Sequence, residues 1–309
     1  MAKPGRSYRD GITLLQLQDL FPDEASAQQW FESVVWPDGR KCPRCGGDNT
    51  YRGTHKTMPY RCRPCKRTFS VRTGTAMQSS KLPLRIWGYA IYLEMTSLKG
   101  VSSMKLHRDL GIKQDTAWHL QHRIRTAFIQ EISNEFAGPV EVDESYFGGL
   151  EKNKHASKKA NLGRGPVAKT AVVGMKDRDS NNVAARVVTS TDKSTLQGFV
   201  REHVEDSTKV YADDARAYIG LENHESVKHS VSEYVNGQAH TNGVESFWAV
   251  LKRAYHGVYH HMSPKHLQRY VDQFAGKHNL RGLDTIQQMN HVIAAMVGKR
   301  LMYKDLVGK

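Results

Sequence analysis

Residues 240–253 read HTNGVESFWAVLKR, and the rest of the chain can be understood as building a site around this stretch. A period of about 100° per residue places its large apolar side chains on one wide stripe, which continues just beyond the stretch. The residues of the stripe are Val244, Phe247, Trp248, Leu251, Ala254 and Tyr255. Such a stripe predicts a helix that packs one face into a core.

Glu245 and Lys252 lie on one flank of this predicted helix. They are two helical turns apart, and the small side chain of Ala249 leaves open space between them. A carboxylate and an ammonium held side by side at the edge of a core suit the chemistry of metal ions and phosphates. The alternative is a capping box, in which Asn242 is the N-cap and Glu245 closes the box. Partner carboxylates upstream would favour the functional interpretation.

The composition predicts a polyanionic partner. The 309 residues include 45 lysines and arginines against 31 acidic residues, so the formal net charge is +14, and the sequence pI is about 9.6. Nucleic acid is the natural partner of such a charge, and a solvated basic surface is the alternative. The N-terminal residues MAKPGRSYRD lack the apolar core of a signal peptide, and the chain has no apolar run of about 18 residues. We therefore expect a soluble cytoplasmic protein with no membrane partner.

The four cysteines form two knuckles. Cys42, Cys45, Cys62 and Cys65 make the pattern C-x2-C-x16-C-x2-C, a spacing typical of structural zinc sites. Two disulfides are the alternative, but thiols stay reduced in the cytosol. A closed four-thiolate site leaves no coordination position for catalysis, so we expect this Zn²⁺ to fold its module. The module also carries a group of basic residues that favours contact with nucleic acid or a partner, namely Arg61, Arg63, Lys66, Arg67 and Arg72.

Residues 81–130 have the pattern of helices joined by a short turn at residues 111–113. Leu106, Leu110 and Ile112 are spaced to pack against the apolar side of a second helix, as in a helix-turn-helix. His119, Arg123 and Arg125 lie on other faces of that second helix, which could enter a major groove of DNA. A helical hairpin that merely connects domains is the alternative.

From Pro139 onward, strand patterns alternate with helix patterns. The candidate strands are residues 140–147, 167–175, 183–188, 209–213 and 226–231, and residues 194–204 have the pattern of a helix. This order predicts an α/β fold with a mixed sheet flanked by helices. A basic loop follows the first strand and contains Lys152, Lys154, Lys158, Lys159, Arg164 and Lys169.

Two aspartates stand on predicted strands of this sheet. Asp143 lies in the first strand and Asp213 ends the fourth. Sites in open α/β sheets form where loops converge at strand ends, so neighbouring strands would bring both aspartates close to Glu245. Three adjacent carboxylates cannot all stay ionised without counter-charge. Their hard oxygen ligands fit two Mg²⁺ or Mn²⁺ ions about 3.5–4 Å apart, an arrangement that clamps both oxygens of a phosphodiester exchange.

This order of modules resembles that of the DDE transposases of bacterial insertion sequences, in the zinc-ribbon group related to eukaryotic Merlin elements. The segments that carry the resemblance are WPDGRKCPRCG, YRCRPCKRTFSVRTGT, VEVDESYFGG, VYADDARAY and HTNGVESFWAVLKR, which together span most of the chain. The resemblance implies an RNase H-like catalytic domain in which Asp143, Asp213 and Glu245 bind the metal ions. It also implies that Lys252 positions the DNA.

Two positions differ from common family patterns. Members of this group often have Thr before the second aspartate, whereas this chain has Ala212, so Asp214 is an alternative to Asp213. Some members use Asn as the third ligand, and Asn242 lies nearby, but Glu245 has the better geometry relative to Lys252.

We therefore predict an insertion-sequence transposase, an enzyme that binds terminal inverted repeats and catalyses Mg²⁺-dependent DNA cleavage and strand transfer. The zinc ribbon and the helix-turn-helix would recognise the double-stranded DNA of the element ends. Pairing two ends requires at least a dimer, and such an enzyme would work at the nucleoid. Further DNA contacts are predicted for Lys152, Lys154, Lys158, Lys159, Arg164, His119, Arg123, Arg125 and Arg253.

The predicted domains follow the modules in chain order. They are a helical lead-in over 1–36, a zinc ribbon over 37–74, a helix-turn-helix region over 81–130, an RNase H-like catalytic domain over 138–282 and a helical tail over 283–309. Two other functions stay open: a domesticated or inactive transposase that binds DNA without cutting it, and an RNase H-like nuclease without strand transfer. The histidines between residues 256 and 266 are interpreted as facing the surface or DNA, with a second metal site as the alternative.

Overall fold

The computed structural model describes residues 11–129, 136–149, 154–159, 169–205, 207–213, 216–221, 223–227 and 241–308. The chain divides into two compact units. The first unit is formed by residues 1–128 together with 280–309, and the second unit by residues 129–279.

The α-helices and strands are numbered here in chain order. The helices are α1 (Leu14–Leu20), α2 (Glu24–Val35), α3 (Leu84–Thr96), α4 (Ser103–Leu110), α5 (Gln114–Arg125), α6 (Lys193–Arg201), α7 (Asn242–Ala254), α8 (Pro264–Asn279), α9 (Thr285–Ala295) and α10 (Tyr303–Val307). The strands are β1 (Thr50–Arg52), β2 (Tyr60–Cys62), β3 (Thr68–Phe69), β4 (Val140–Phe147), β5 (Thr170–Asp177), β6 (Val183–Val188), β7 (Val210–Asp213) and β8 (His224–Val227).

The first unit is built around α3, which packs against α2 and α9. Trp87 and Ile91 of α3 are fully buried, and Val292 and Ile293 of α9 are buried in the same core. Asp284 and Gln287 close a capping box at the start of α9. The tail, the helices α3–α5 and the ribbon lie together in this unit.

A short turn joins α4 to α5, as the sequence predicts. Ser102 caps α4, and Gly111 ends it with a left-handed backbone, φ 64°, a conformation that glycine adopts without a steric penalty. Leu106 and Ala117 are buried where the two helices meet.

The ribbon is a small antiparallel sheet in the order β1-β2-β3. Tyr60, Phe69 and Trp36 pack their rings together behind it, with centroids 5.7–6.0 Å apart. The hydroxyl of Tyr60 donates to the carboxylate of Glu32 at 2.7 Å, so α2 supports the ribbon.

The second unit contains a five-stranded sheet in the order β6-β5-β4-β7-β8. β4 and β6 pair with β5 in antiparallel fashion, and β7 pairs in parallel with β4 and β8. The sheet is therefore mixed, and the α/β prediction is confirmed.

Helices cover both faces of this sheet. On one face, Val140 and Val142 of β4 share a core with Leu196 and Phe199 of α6. On the other face, Phe147 of β4 shares a core with α7 and α8. Because side chains alternate along a strand, the odd-numbered residues of β4 face α7.

Two amide side chains of α8 bind the outer edge of β6. Asn279 accepts from the amide of Val183 at 2.8 Å and donates to its carbonyl at 3.0 Å. Gln268 accepts from the amide of Val187 at 2.6 Å and donates to the carbonyl of Ala185 at 3.2 Å. These bonds satisfy backbone groups that an edge strand otherwise leaves unpaired.

Within the described part of the chain, no helix is both long and apolar enough to span a bilayer.

Candidate active site

The parallel pairing of β4 with β7 runs toward Asp143 and Asp213. In this pair, Val140 lies opposite Val210 and Glu141 opposite Tyr211. Two residues beyond these paired positions come Asp143 of β4 and Asp213, the last residue of β7. The side chain of Asp213 and the whole of Asp214 lie outside the described part of the chain.

Asp143 lies on the face of the sheet that α7 covers. Its antiparallel neighbour on β5 is Gly174, and the indole of Trp248 occupies the space above this glycine. A Cβ atom at Gly174 would lie 2.5 Å from the Trp248 ring. The glycine therefore lets α7 approach the sheet closely beside Asp143.

Glu245 and Lys252 are exposed residues of α7, on the helix that the apolar stripe predicts. The helix begins at Asn242, and its N-cap residue, Thr241, makes no side-chain capping hydrogen bond. The Thr241 hydroxyl instead donates to the carboxylate of Glu245 at 3.1 Å. The capping box with Asn242 as N-cap is therefore not formed, and the Glu245 carboxylate lies at the solvent-facing start of α7.

Glu141, which the sequence analysis did not select, anchors α7 to the sheet. Its side chain is buried, with 3% of its surface exposed, and Oε1 accepts from Nε of Arg178 at 2.9 Å. Its Oε2 accepts from the amide of Val244 in the first turn of α7 at 2.9 Å. A carboxylate at this position also interacts favourably with the helix dipole. Glu141 thus fixes where α7 begins, two residues before Asp143 on the same face of β4.

The contact at the first turn of α7 has no room for a side chain. A Cβ atom at Gly243 would lie 2.6 Å from Oε2 of Glu141 and 3.0 Å from Nζ of Lys176. Lys176 is the cross-strand neighbour of Glu141. The sequence offers one indication of Glu141: it is an acidic residue two positions before Asp143, so in a strand both side chains lie on the same face.

A second contact holds the segment that follows β7. The fully buried Tyr218 donates its hydroxyl to the carboxylate of Glu144, the residue after Asp143. The amide of Glu144 in turn donates to Oδ1 of Asp143 at 2.8 Å. The chain beyond Asp213 is therefore tied to the strand that carries Asp143.

The four cysteines of the first unit converge on one point. Their sulfur atoms all lie within 4.8 Å of one another, with Cys42 and Cys65 at 3.7 Å and Cys45 and Cys62 at 3.6 Å. Four thiolates around tetrahedral Zn²⁺ are about 3.8 Å apart, whereas a disulfide would need about 2.05 Å. The backbone amide of Arg67 lowers the pKa of the Cys65 thiol to about 7, whereas burial and the neighbouring thiols raise the pKa of the Cys62 thiol. A bound metal ion would hold all four as thiolates. The site fits structural Zn²⁺ and excludes the disulfide alternative.

The structure places the residues predicted to bind DNA in different environments. Arg123 and Arg125 of α5 are buried, with 8% and 1% exposed. Arg123 donates to the carbonyl of Gln78 at 2.7 Å and to that of Leu301 at 3.1 Å. These two arginines therefore pack inside the first unit, and their burial argues against the DNA contact predicted for them.

His119 is half-buried on α5. Its ring lies 5.6 Å from that of Tyr303, and burial, with a smaller effect of Arg123, lowers its pKa. Arg253 is exposed on α7, and Lys154 and Lys159 are half-buried. Lys152, Arg164 and the side chain of Lys158 lie outside the described residues.

The histidines that follow α7 form no metal cluster in the described residues. His256 and His260 are exposed at a five-residue π-helix, Tyr255–Tyr259, and at its end. Among the residues that the structure describes, the cysteines are the one group of three or more potential ligands close enough to hold an ion. The surface interpretation of these histidines is the one that the structure supports.

Two segments match families of known proteins. Residues 135–279 match the ISXO2-like transposase domain, and residues 22–68 match the transposase zinc-ribbon domain. Over 248 residues the chain is 28% identical to a protein of Halobacterium salinarum, the uncharacterized protein in transposable element ISH50. That alignment covers 75% of this chain and 83% of the relative. The first segment contains the three candidate carboxylates, and the second contains all four cysteines.

Proposed function

Because the chain belongs to the zinc-ribbon transposases with an ISXO2-like transposase domain, we propose that it binds the ends of an insertion sequence and cuts and joins them with a carboxylate site that needs divalent metal. The observation that carries this proposal is the register of β4 and β7. Glu141 lies opposite Tyr211 in this register, and its continuation by two residues would put Asp143 beside Asp213. Glu245 is carried by α7, the helix that covers this face of β4.

The residues present suit Mg²⁺ or Mn²⁺. Asp143, Asp213 and Glu245 offer only carboxylate oxygens, the hard ligands that these ions prefer, and Asp214 is the alternative second ligand. Two bound ions would neutralise phosphate charge and activate the attacking oxygen. The Thr241 hydroxyl and the Glu141 contact with α7 hold Glu245 in place.

The remaining residues bind and orient the DNA. Lys252 lies two turns after Glu245 on the exposed flank of α7 and would hold a phosphate next to the scissile bond. Water attacks the phosphodiester at the element end and the P–O bond to the departing strand breaks, which leaves a 3′-hydroxyl. That hydroxyl then attacks a target phosphodiester, and one P–O bond replaces another without an external energy source. In-line positioning of these groups supplies much of the rate enhancement.

The first unit would recognise the element ends. Exposed basic residues lie near the end of α4 and in the turn before α5, namely Arg108 and Lys113. The C-terminal half of α5 is buried, which leaves its first turns for contact with base edges. Two ends must be held together for joining, so we propose that at least two copies act on one pair of ends at the nucleoid.

The test is cleavage and joining of a labelled duplex that carries the element end, with Mg²⁺. We expect Asp143→Asn, Asp213→Asn and Glu245→Gln to bind the duplex and to lose cleavage by several orders of magnitude. Asp214→Asn decides which member of the pair is the ligand. Glu202→Gln, an exposed glutamate of α6's end that pairs with Arg186, is the control and should cleave normally.

If all three carboxylate variants still cleave the duplex, the assignment of these residues to the active site is wrong. If wild-type protein releases 3′-hydroxyl ends but never joins them to target DNA, the activity is that of a nuclease.

A further inference from the structure

The first unit contains a basic groove that the sequence analysis did not identify. The groove has a volume of about 770 Å³ and runs between the ribbon, the start of α3 and α2. Its basic side chains come from separate parts of the chain: Arg44, Arg52, Lys56, Arg72 and Lys81. The acidic lining residue is Glu24, so the lining is strongly positive.

Four of these basic residues are available to a ligand. Arg44, Arg52, Lys56 and Lys81 are exposed, and none of them forms an ion pair with a residue that the structure describes. Like charges gathered in one concave surface repel each other, and a bound polyanion relieves that repulsion.

Arg72 and Glu24 shape the groove. Arg72 donates to the carbonyls of Ser80 and Leu82 at 2.8 and 2.6 Å and pairs with Glu24 at 3.4 Å. Glu24 also accepts from the amide of Leu84 at 2.6 Å. The one acidic charge of the lining is therefore already compensated, and residues 80–82 are held in place.

An exposed serine lies in a strained conformation inside this groove. Ser79 has φ 61°, in the left-handed region that residues other than glycine, asparagine and aspartate rarely adopt. Such conformations persist only where the surroundings impose them, and they cluster at ligand-binding surfaces. Ser79 thus lines the same groove as the four exposed cations.

We propose that this groove binds the phosphate backbone of duplex DNA. The proposal rests on the proposed function, because the element end is the duplex concerned, and it adds a surface formed by Arg44, Arg52, Lys56 and Lys81. Backbone contacts of this kind fix the position of a protein on DNA and make its affinity depend on salt.

The test compares two triple variants of the full-length protein that remove the same charge. Arg52→Gln/Lys56→Gln/Lys81→Gln removes three of the four exposed groove charges, whereas Lys99→Gln/Lys193→Gln/Lys304→Gln removes exposed charges outside the lining. Anisotropy of a labelled end-bearing duplex is measured between about 50 and 200 mM salt. We expect the slope of log Kobs against log[salt] to fall in magnitude by about 0.9 per lost phosphate contact in the groove variant, and to change far less in the control variant.

A second pair of variants keeps every basic residue. Ser79→Asp and Ser79→Asn have nearly the same size, and both side chains tolerate a left-handed backbone. Only the first brings a negative charge into the groove, so we expect it to bind the duplex about 3- to 10-fold more weakly than the second at low salt. Zinc content and thermal melting show whether each variant is folded.

The two proposals fail in different ways. If both triple variants lose affinity equally, or the two Ser79 variants bind alike, the groove does not bind DNA, while end cleavage by wild-type protein still supports the transposase. If the wild-type protein neither binds nor cuts the duplex, the proposed function itself fails.

Discussion

Each unit uses a glutamate from a distant segment to hold the start of a helix. In the first unit, Glu24 of α2 accepts hydrogen bonds from the first amides of α3 and pairs with Arg72. In the second unit, Glu141 of β4 accepts from the first turn of α7 and pairs with Arg178. Neither helix has a side-chain cap of its own. A glutamate from another segment therefore caps both the central helix of the first unit and the helix that carries Glu245.

The two glutamates differ in exposure. The side chain of Glu24 is 45% exposed, whereas that of Glu141 is 3% exposed. Water screens the interaction of Glu24 with Arg72, so its loss should cost little stability. Removal of the second would leave a poorly solvated guanidinium without its carboxylate, which is far more costly. We therefore expect Glu141, beneath the candidate active site, to contribute more to stability than Glu24, beside the basic groove.

Glu141→Ala should have the largest effect. We expect it to lower the free energy of unfolding of the second unit by about 3–5 kcal/mol, because the guanidinium of Arg178, which is only 16% exposed, loses this carboxylate. Calorimetric melting measures the loss. Glu141→Gln keeps an acceptor for the amide of Val244 and should lose less. A Glu141→Ala protein that melts like the wild type would remove the distinction between the two anchors.

Gly243→Ala tests the close contact without changing any charge. The added methyl group would lie 2.6 Å from Oε2 of Glu141, so we expect a loss of about 1–3 kcal/mol. Gly198 of α6 is the matched control, since a Cβ atom there meets nothing within 4 Å. Gly198→Ala should stabilise the protein by about 0.5–1 kcal/mol. If both substitutions stabilise the protein, or both destabilise it, the close contact at Gly243 is contradicted.

Asp272 is a largely buried carboxylate that, unlike Glu24 and Glu141, does not accept from the first turn of a helix. It lies on α8, where burial raises its pKa to about 6, partly offset by a hydrogen bond from Gln268. The protonated form is thus favoured in the folded state, and its stabilising contribution is lost as pH rises from about 4 through 6. We expect Asp272→Asn to raise stability by up to about 2 kcal/mol at pH 8 and to change little at pH 4. A pH-independent effect of the substitution in urea titrations would contradict this.

Glu24→Ala should have the smallest effect. We expect it to lower stability by about 1 kcal/mol, the usual size of a lost N-terminal cap, because solvent replaces much of the interaction. Chemical denaturation of the first unit measures it, and Glu24→Gln is the control that keeps an acceptor. A loss as large as that of Glu141→Ala would mean that exposure does not separate the two anchors.

Sequence reasoning succeeded where the determinants are local. The cysteine knuckles and the apolar stripe of α7 depend on residues a few positions apart, and the structure contains both. The strand Val183–Val188 matches the prediction at both ends. Asp143 and Asp213 were selected from strand patterns, but whether they meet depends on the register of β4 and β7, segments 70 residues apart, which local spacing does not encode.

The residues that were missed depend on tertiary packing. Glu141 reads as an ordinary member of an alternating strand until the start of α7 is known to lie above it. Arg123 faces away from the apolar side of α5, and nothing local shows that the carbonyl of Leu301 covers it. The basic groove is formed by residues from separate segments, including Arg44, Arg52 and Lys81. Their proximity is therefore not visible in the sequence, whereas the run of basic residues in the ribbon is.

The amide side chains of α8 on β6 limit how two copies of the protein can assemble. Gln268 and Asn279 occupy the backbone groups through which a foreign strand would extend the sheet. The copies that we propose to act on one pair of DNA ends therefore cannot fuse their sheets along this strand into one continuous layer. At this edge, their association would use side-chain surfaces or the DNA itself as the bridge, which would let assembly depend on the presence of the nucleic acid.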